Sequence, residues 1–150
     1  MAATQNVKNG DSADLAAVTA TSFTGPLTGN VTGNVTGNIT GGIVEPLVAV
    51  TADGAISVPS VNTTYFITKA GVAAMTLVDP TATTHDNLQL TFISVTANAH
   101  TLSNGAGSGF NGGGAGSDVG TFGAAKGNNI VIRAYQGDWY VVSSVNVTLA

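Results

Sequence analysis

Residues 129–144 read "NIVIRAYQGDWYVVSS". Two runs of β-branched and aromatic residues flank the dipeptide Gln136-Gly137. A two-residue hairpin turn places its central residues at positive φ, which favours a glycine. The stretch therefore predicts two antiparallel strands joined by a tight turn. Successive side chains of a strand point to opposite faces, so Trp139 and Tyr140 cannot share one. One of them is expected in the core and the other at an edge or interface.

The same pattern continues outward from this hairpin. "AISV" (55–58), "TYFITK" (64–69) and "AAMTLVD" (73–79) are separated by Pro59, Asn62, Gly71 and Pro80. "NLQLTFISV" (87–95) puts Leu88, Leu90 and Phe92 on one face and Gln89 and Thr91 on the other. "HTLS" (100–103), "VGTF" (119–122) and "VNVTL" (145–149) complete the set. No amphipathic helical window interrupts them. Short strands divided by turn residues predict an all-β domain over residues 48–150, built as an antiparallel β-sandwich or small barrel.

Upstream lies a different grammar. "LTGNVTGNVTGNITGG" (27–42) repeats an aliphatic residue, Thr, Gly and Asn. The register takes in Phe23, Leu27, Val31, Val35, Ile39, Ile43 and Leu47, with glycines midway between them. Glycine costs about 1 kcal/mol per helical position relative to Ala, and Val, Thr and Asn are also poor helix formers. In an extended chain the aliphatics and glycines share one face and the Thr and Asn side chains the other. Burying seven side chains stabilises less than ordering the backbone of 23–47 costs, so a lone copy falls short. Identical copies about a symmetry axis supply the missing partner. The seven apolar residues are therefore the expected interface of a homotrimeric, intertwined β-repeat. Residues 1–22 have no period and read as an N-terminal arm.

Composition narrows the function. Charged residues make up 8% of the chain, against about 25% in an ordinary soluble protein. So few charges leave a surface suited to association with other chains. The net charge is −4, and the basic residues Lys8, Lys69, Lys126 and Arg133 are scattered, which excludes a nucleic-acid surface. There is no cysteine, so disulfides and thiolate zinc sites are excluded. The N-terminus lacks the basic-then-apolar order of a secretory signal. No run approaches the roughly 18 apolar residues of a membrane span.

The motifs that carry chemistry elsewhere lack their context here. Gly107–Gly112 matches GxGxxG, but "GGAGSDVG" follows it and cannot open a helix. His85 and His100 have no third ligand at metal-binding spacing and read as loop or strand-end surface. Stability is accordingly expected to vary little with pH near neutrality. The sequons at Asn30, Asn34, Asn38, Asn62 and Asn146 lack a secretory route. No nucleophile elbow is present. No catalytic residue, cofactor or metal is expected. Phe110, set among glycines, is either an exposed contact or a lid tucked onto the sheet.

"FTGPLTGNVTGNVTGNITG" (23–41) resembles the short TGN-type repeats of tailed-bacteriophage fibre and head-surface proteins. "NNIVIRAYQGDWYVVSSVNVTLA" (128–150) is similar to the closing strands of phage head-fibre, decoration or cement proteins. The resemblance implies a trimeric all-β virion protein on the outside of an icosahedral capsid, partnered by the major capsid protein. Such a protein is made in the host cytoplasm and reaches the exterior by lysis. Phe110 and residues 1–22 are then candidate capsid or host contacts. An alternative is a head- or tail-fibre adhesin module. The chain departs from an adhesin tip in lacking an obvious aromatic-rich or acidic sugar-binding patch. A fibre-borne enzyme is the third reading, and its paired acids are not apparent in sequence.

Overall fold

The computed structural model describes residues 44–104, 109–113 and 118–150. The arm and the repeat from Phe23 to Ile43 lie outside the described residues. The chain divides into two units, Met1–Thr40 and Gly41–Ala150. The second is all-β. Its strands are β1 (Leu47–Val50), β2 (Gly54–Ile56), β3 (Thr63–Ile67), β4 (Ala74–Leu77), β5 (Gln89–Ser94), β6 (Thr101–Asn104), β7 (Val119–Phe122), β8 (Asn129–Tyr135), β9 (Asp138–Val145) and β10 (Val147–Leu149). No helix occurs among the described residues.

The strands form two five-stranded sheets, ordered β1-β3-β5-β8-β9 and β10-β7-β6-β4-β2. The expected purely antiparallel sandwich is corrected here: both sheets are mixed, and neither closes into a barrel. From β1 to β6 the chain alternates between sheets, so neighbours within a sheet are two strands apart in sequence. They run parallel, β1 with β3 with β5 and β2 with β4 with β6. The last full coil has one length in both sheets: Thr64 faces Thr91 and Ala74 faces Thr101, each 27 residues on. After β6 the path reverses. β7 and β10 close one sheet antiparallel, and β8 and β9 close the other.

The two inner faces share one core. Ile67, Leu90, Phe92, Ile130, Ile132 and Trp139 of the first sheet meet Met75, Leu77, Leu102 and Phe122 of the second, all with at most 1% exposure. Tyr65 and Phe92, paired across β3 and β5, stack at 4.7 Å. The hairpin turn forms as the sequence predicts, with Gln136 at φ 51° and Gly137 at φ 92°. Of the adjacent aromatics, Trp139 is buried and Tyr140 exposed. The Trp139 indole donates to the Val78 carbonyl at 3.0 Å, which satisfies its one polar atom across the sandwich. Gly120 lies on the inner face because Val147 and Leu149 come close; a Cβ there would sit 3.3 Å from Val147.

Phe110 is fully buried, so the lid reading holds and the exposed-contact reading is corrected. The segment bridges to Trp139. Asn111 donates its backbone N–H to Trp139 O at 2.8 Å, and its side-chain oxygen accepts from Val141 N at 2.7 Å. These bonds lay the loop along the free edge of β9 and turn the Phe110 ring into the core. Phe110→Ala should therefore cost about 3–5 kcal/mol of unfolding free energy, as large aromatic truncations in packed cores do. Urea denaturation measures it. A loss below about 1 kcal/mol would mean that the ring is not part of the core.

Candidate functional site

Each strand turns one set of side chains to the core, so its other set defines an outer face. On the second sheet that face carries hydroxyls. Ala74, Thr101, Thr121 and Thr148 stand in one transverse row. The next row reads Ala55, Thr76, Ser103, Val119, and the Ser103 hydroxyl donates to Met75 O at 3.1 Å. Such a face is well solvated.

The outer face of the first sheet differs. One transverse row reads Ala49, Phe66, Ile93, Asn129, Val145. The next reads Leu47, Thr64, Thr91, Val131, Ser143. Phe66, Ile93 and Val131 are half-buried, while Leu47 and Val145 are 65% and 51% exposed. No charged side chain stands in either row. A β-bulge makes this face possible at its β9 end. The register shifts between Val131 and Ile132, so Ser143 and Val145 come opposite outward-facing Val131 and Asn129. Where the first coil begins, a second apolar surface is open. Val48, Ile56, Pro59 and Tyr65 line a cleft of about 400 Å³ there, and Val44 is 94% exposed beside Pro46.

The third transverse row of the first sheet holds Gln89, Arg133 and Tyr140. Arg133 donates from Nη1 to Asn87 Oδ1 and from Nη2 to Gln89 Oε1, both at 2.8 Å. The turn brings Tyr135 back over this row, edge-to-face with Tyr140 at 6.3 Å. Asp86 flanks the pair. Its Oδ1 accepts from Gln136 N at 2.8 Å and Thr83 N at 3.2 Å, and its Oδ2 from Gln136 Nε2 at 2.7 Å. The Gln136 backbone N–H, aided by these other donors, holds the Asp86 carboxyl below the ordinary carboxylate range. Asp86, Asn87, Arg133, Tyr135 and Tyr140, with Ala134 and Val142, border an open cleft of about 540 Å³.

Of the residues predicted from sequence as interface, Phe23, Leu27, Val31, Val35, Ile39 and Ile43 lie outside the described residues. Leu47 opens β1 and faces outward. The Phe66–Ile93–Val145 row and the Gln89–Arg133–Tyr140 row were missed. Each is assembled from separate strands, and only the Arg133–Tyr140 part spans a turn that the sequence announces. Among the described residues no group of three or more His, Cys, Asp or Glu could hold a metal ion.

His100 corrects the surface reading of the histidines. It is fully buried. Its Nδ1 accepts from Ala73 N at 2.9 Å. Its Nε2 lies 2.9 Å from the Thr96 hydroxyl, which donates onward to Lys69 O at 3.1 Å. The ring is therefore neutral with its proton on Nε2, and it ties consecutive coils together. His85 stays in its loop, with Nδ1 accepting from Thr81 N. No protein-family model matches the chain, and no curated protein sequence matches it.

Burial, with Lys69 nearby, pushes the His100 pKa below its ordinary 6.5. The unfolded chain then binds the proton more readily than the folded one. The contribution to stability is complete above the ordinary value and falls as pH drops below it. The expectation of pH independence is revised accordingly. Melting should come at a lower temperature near about pH 5 than near about pH 8. His100→Gln should be less stable at both but lose most of the difference. An unchanged difference in that variant would assign it to groups other than His100. Asp79, which burial and Asp138 hold above the ordinary range, works in the opposite direction, because a raised carboxyl pKa favours the fold at low pH.

Proposed function

We propose that this chain is a structural virion protein that binds the outer surface of a bacteriophage capsid as a homotrimer and cements it. The observation that carries the reading is the asymmetry of the two outer faces. One is hydroxyl-rich and suited to water; the other presents the unbroken apolar run of Ala49, Phe66 and Ile93, which Asn129 separates from Val145. Scattered apolar residues are normal on a surface, but a contiguous patch marks an interaction site. The major capsid protein is the partner for this face. Self-association is supported by the repeat and by the open apolar cleft at the first coil, which Pro46 helps to line. A head- or tail-fibre module touching the host surface is the second reading, and the Tyr135–Tyr140–Arg133 cleft favours it.

Mass measurement in solution should give a trimer. Val31→Asp with Val35→Asp should weaken assembly, because carboxylates in an apolar seam are costly. Purified protein should bind heads that lack it in proportion to their sites. Binding should survive a rise from about 0.1 M to about 1 M salt, which shortens the Debye length from about 10 to about 3 Å. Ile93→Glu should weaken binding by at least about tenfold while the fold is retained. Release by salt, or full binding by that variant, would remove the apolar face from the mechanism. A wild-type chain that ignores heads altogether would remove the cement function.

A further inference from the structure

The cleft at the hairpin end of the first sheet has more chemistry than a docking face needs. Its cation is fixed and, among the described residues, makes no direct ion pair. Among the described residues the one ion pair is Lys69–Asp53, so Arg133 has no carboxylate partner there. Two neutral amide oxygens, Asn87 Oδ1 and Gln89 Oε1, hold its guanidinium in place. A guanidinium has five N–H donors, and these two bonds leave three of them. The amides accept through oxygen, so their NH2 groups also remain as donors. Asp86 makes no ion pair with the guanidinium, since its two oxygens accept from Gln136 and Thr83, but its negative charge borders the same cleft.

Directly across the ladder from Arg133 stands Tyr140, and Tyr135 packs against its edge. Tyr135 is 59% and Tyr140 38% exposed, which leaves ring surface open to solvent. Exposed aromatic rings are costly to keep in water and suit a ligand with a flat C–H face. The cleft, at about 540 Å³, falls within the range of small-molecule sites.

We propose that this cleft binds an acidic saccharide. The carboxylate of a uronic-acid residue pairs with the Arg133 fork, a geometry that guanidinium recognises bidentately. The pyranose C–H face lies on Tyr140, and the Asn87 amide donates to a hydroxyl. An acidic peptide would satisfy Arg133 equally but has a poorer way to lie down. Strand addition needs a free, regular edge. The β9 edge is bonded by Asn111 near Trp139 and Val141 and carries the bulge opposite Val131 and Ile132. Both features discourage pairing with a further strand. The inference is independent of capsid binding, because the site belongs to the isolated chain.

The test is a titration of the purified full chain, followed by NMR, with tri-galacturonate, its fully methyl-esterified counterpart and tri-glutamate. Tri-galacturonate should shift the Tyr135 and Tyr140 ring signals and the Arg133 side-chain signals saturably. The neutral ester should bind at least about tenfold more weakly, the change expected when one charge-assisted contact is lost. Arg133→Gln should lose a similar factor. Tyr140→Phe should keep binding and Tyr140→Ser should lose it, with melting curves confirming that each variant is folded. No saturable shift with tri-galacturonate would overturn the proposal. Equal binding of the ester would overturn the role of the carboxylate, and tighter binding of tri-glutamate would make this a peptide site.

Discussion

The two-residue side-chain period, imposed on ten strands around one shared core, is the constraint on which the structure depends. Each strand can give only alternate residues to that core. Tyr65 and Ile67, Leu90 and Phe92, Ile130 and Ile132 do so from one sheet; Met75, Leu102 and Phe122 do so from the other. A slip of one residue would exchange every inner side chain for an outer one. In β8 it would bury Arg133 in place of Ile132. The tight turn at Gln136-Gly137 and the 27-residue coil keep that slip from happening. The outer faces are consequences of this register. Their rows of threonine, of apolar side chains and of Gln89–Arg133–Tyr140 are the alternate residues that the core did not take.

The bulge in β9 is the one place where the parity is deliberately broken. Without it, Ser143 and Val145 would continue inward after Trp139 and Val141. With it, they turn outward opposite Val131 and Asn129. The chain then crosses to the other sheet within one residue, at Asn146 with φ 50°. That corner is held by side chains: Asn146 donates to Asn128 Oδ1 at 3.2 Å, and Gly123 N donates to Asn146 O at 2.8 Å. A bulge bends a strand and increases its twist, which fits a strand about to leave its sheet.

What the sequence revealed and what it hid divide along the same physical line. The hairpin was legible because turn chemistry is local, and the split between Trp139 and Tyr140 followed from alternation alone. Strand direction was not, because a period of two is the same for parallel and antiparallel pairing. The coil repeat was hidden for a related reason. Some residues 27 apart match in kind, as Thr64 with Thr91 and Tyr65 with Phe92 do, but others share only their facing, as Ile67 with Ser94 and Leu77 with Asn104 do. Polar residues at inner positions disguise the match. His100 is the sharpest case. It looked like surface because it is polar and ends a strand. In the fold it replaces a ladder bond, accepting from Ala73 through its ring while its backbone continues the coil. Phe110 was ambiguous because glycines flank it, and it is the bonds on either side, Asn111 to β9 and Asn104 to Gly109 O, that fix the segment with its ring inward.

On the first sheet's outer face the row from Ala49 to Val145 and the Gln89–Arg133–Tyr140 row lie two rows apart along the strands. They are weighted to opposite edges, since the unbroken apolar run is on β1, β3 and β5. Leu47 and Ala49 lie on β1, one edge of the sheet, and Tyr140 lies on β9, the other. Four strand spacings of about 4.8 Å separate those edges, about 19 Å in all. The chain enters the domain through β1, directly after the repeat. An assembly organised about that entry would draw its contacts from the β1 and β3 side, where Leu47, Ala49 and Phe66 sit. The β9 edge then falls toward the rim of the contact, where polar and solvent-accessible groups belong. The guanidinium of Arg133 and the exposed tyrosines suit that position: a charge without a direct ion pair tolerates a rim and resists the dry centre of an interface. The same sheet can thus present an apolar side to a protein partner and keep a charged, aromatic cleft open to solvent.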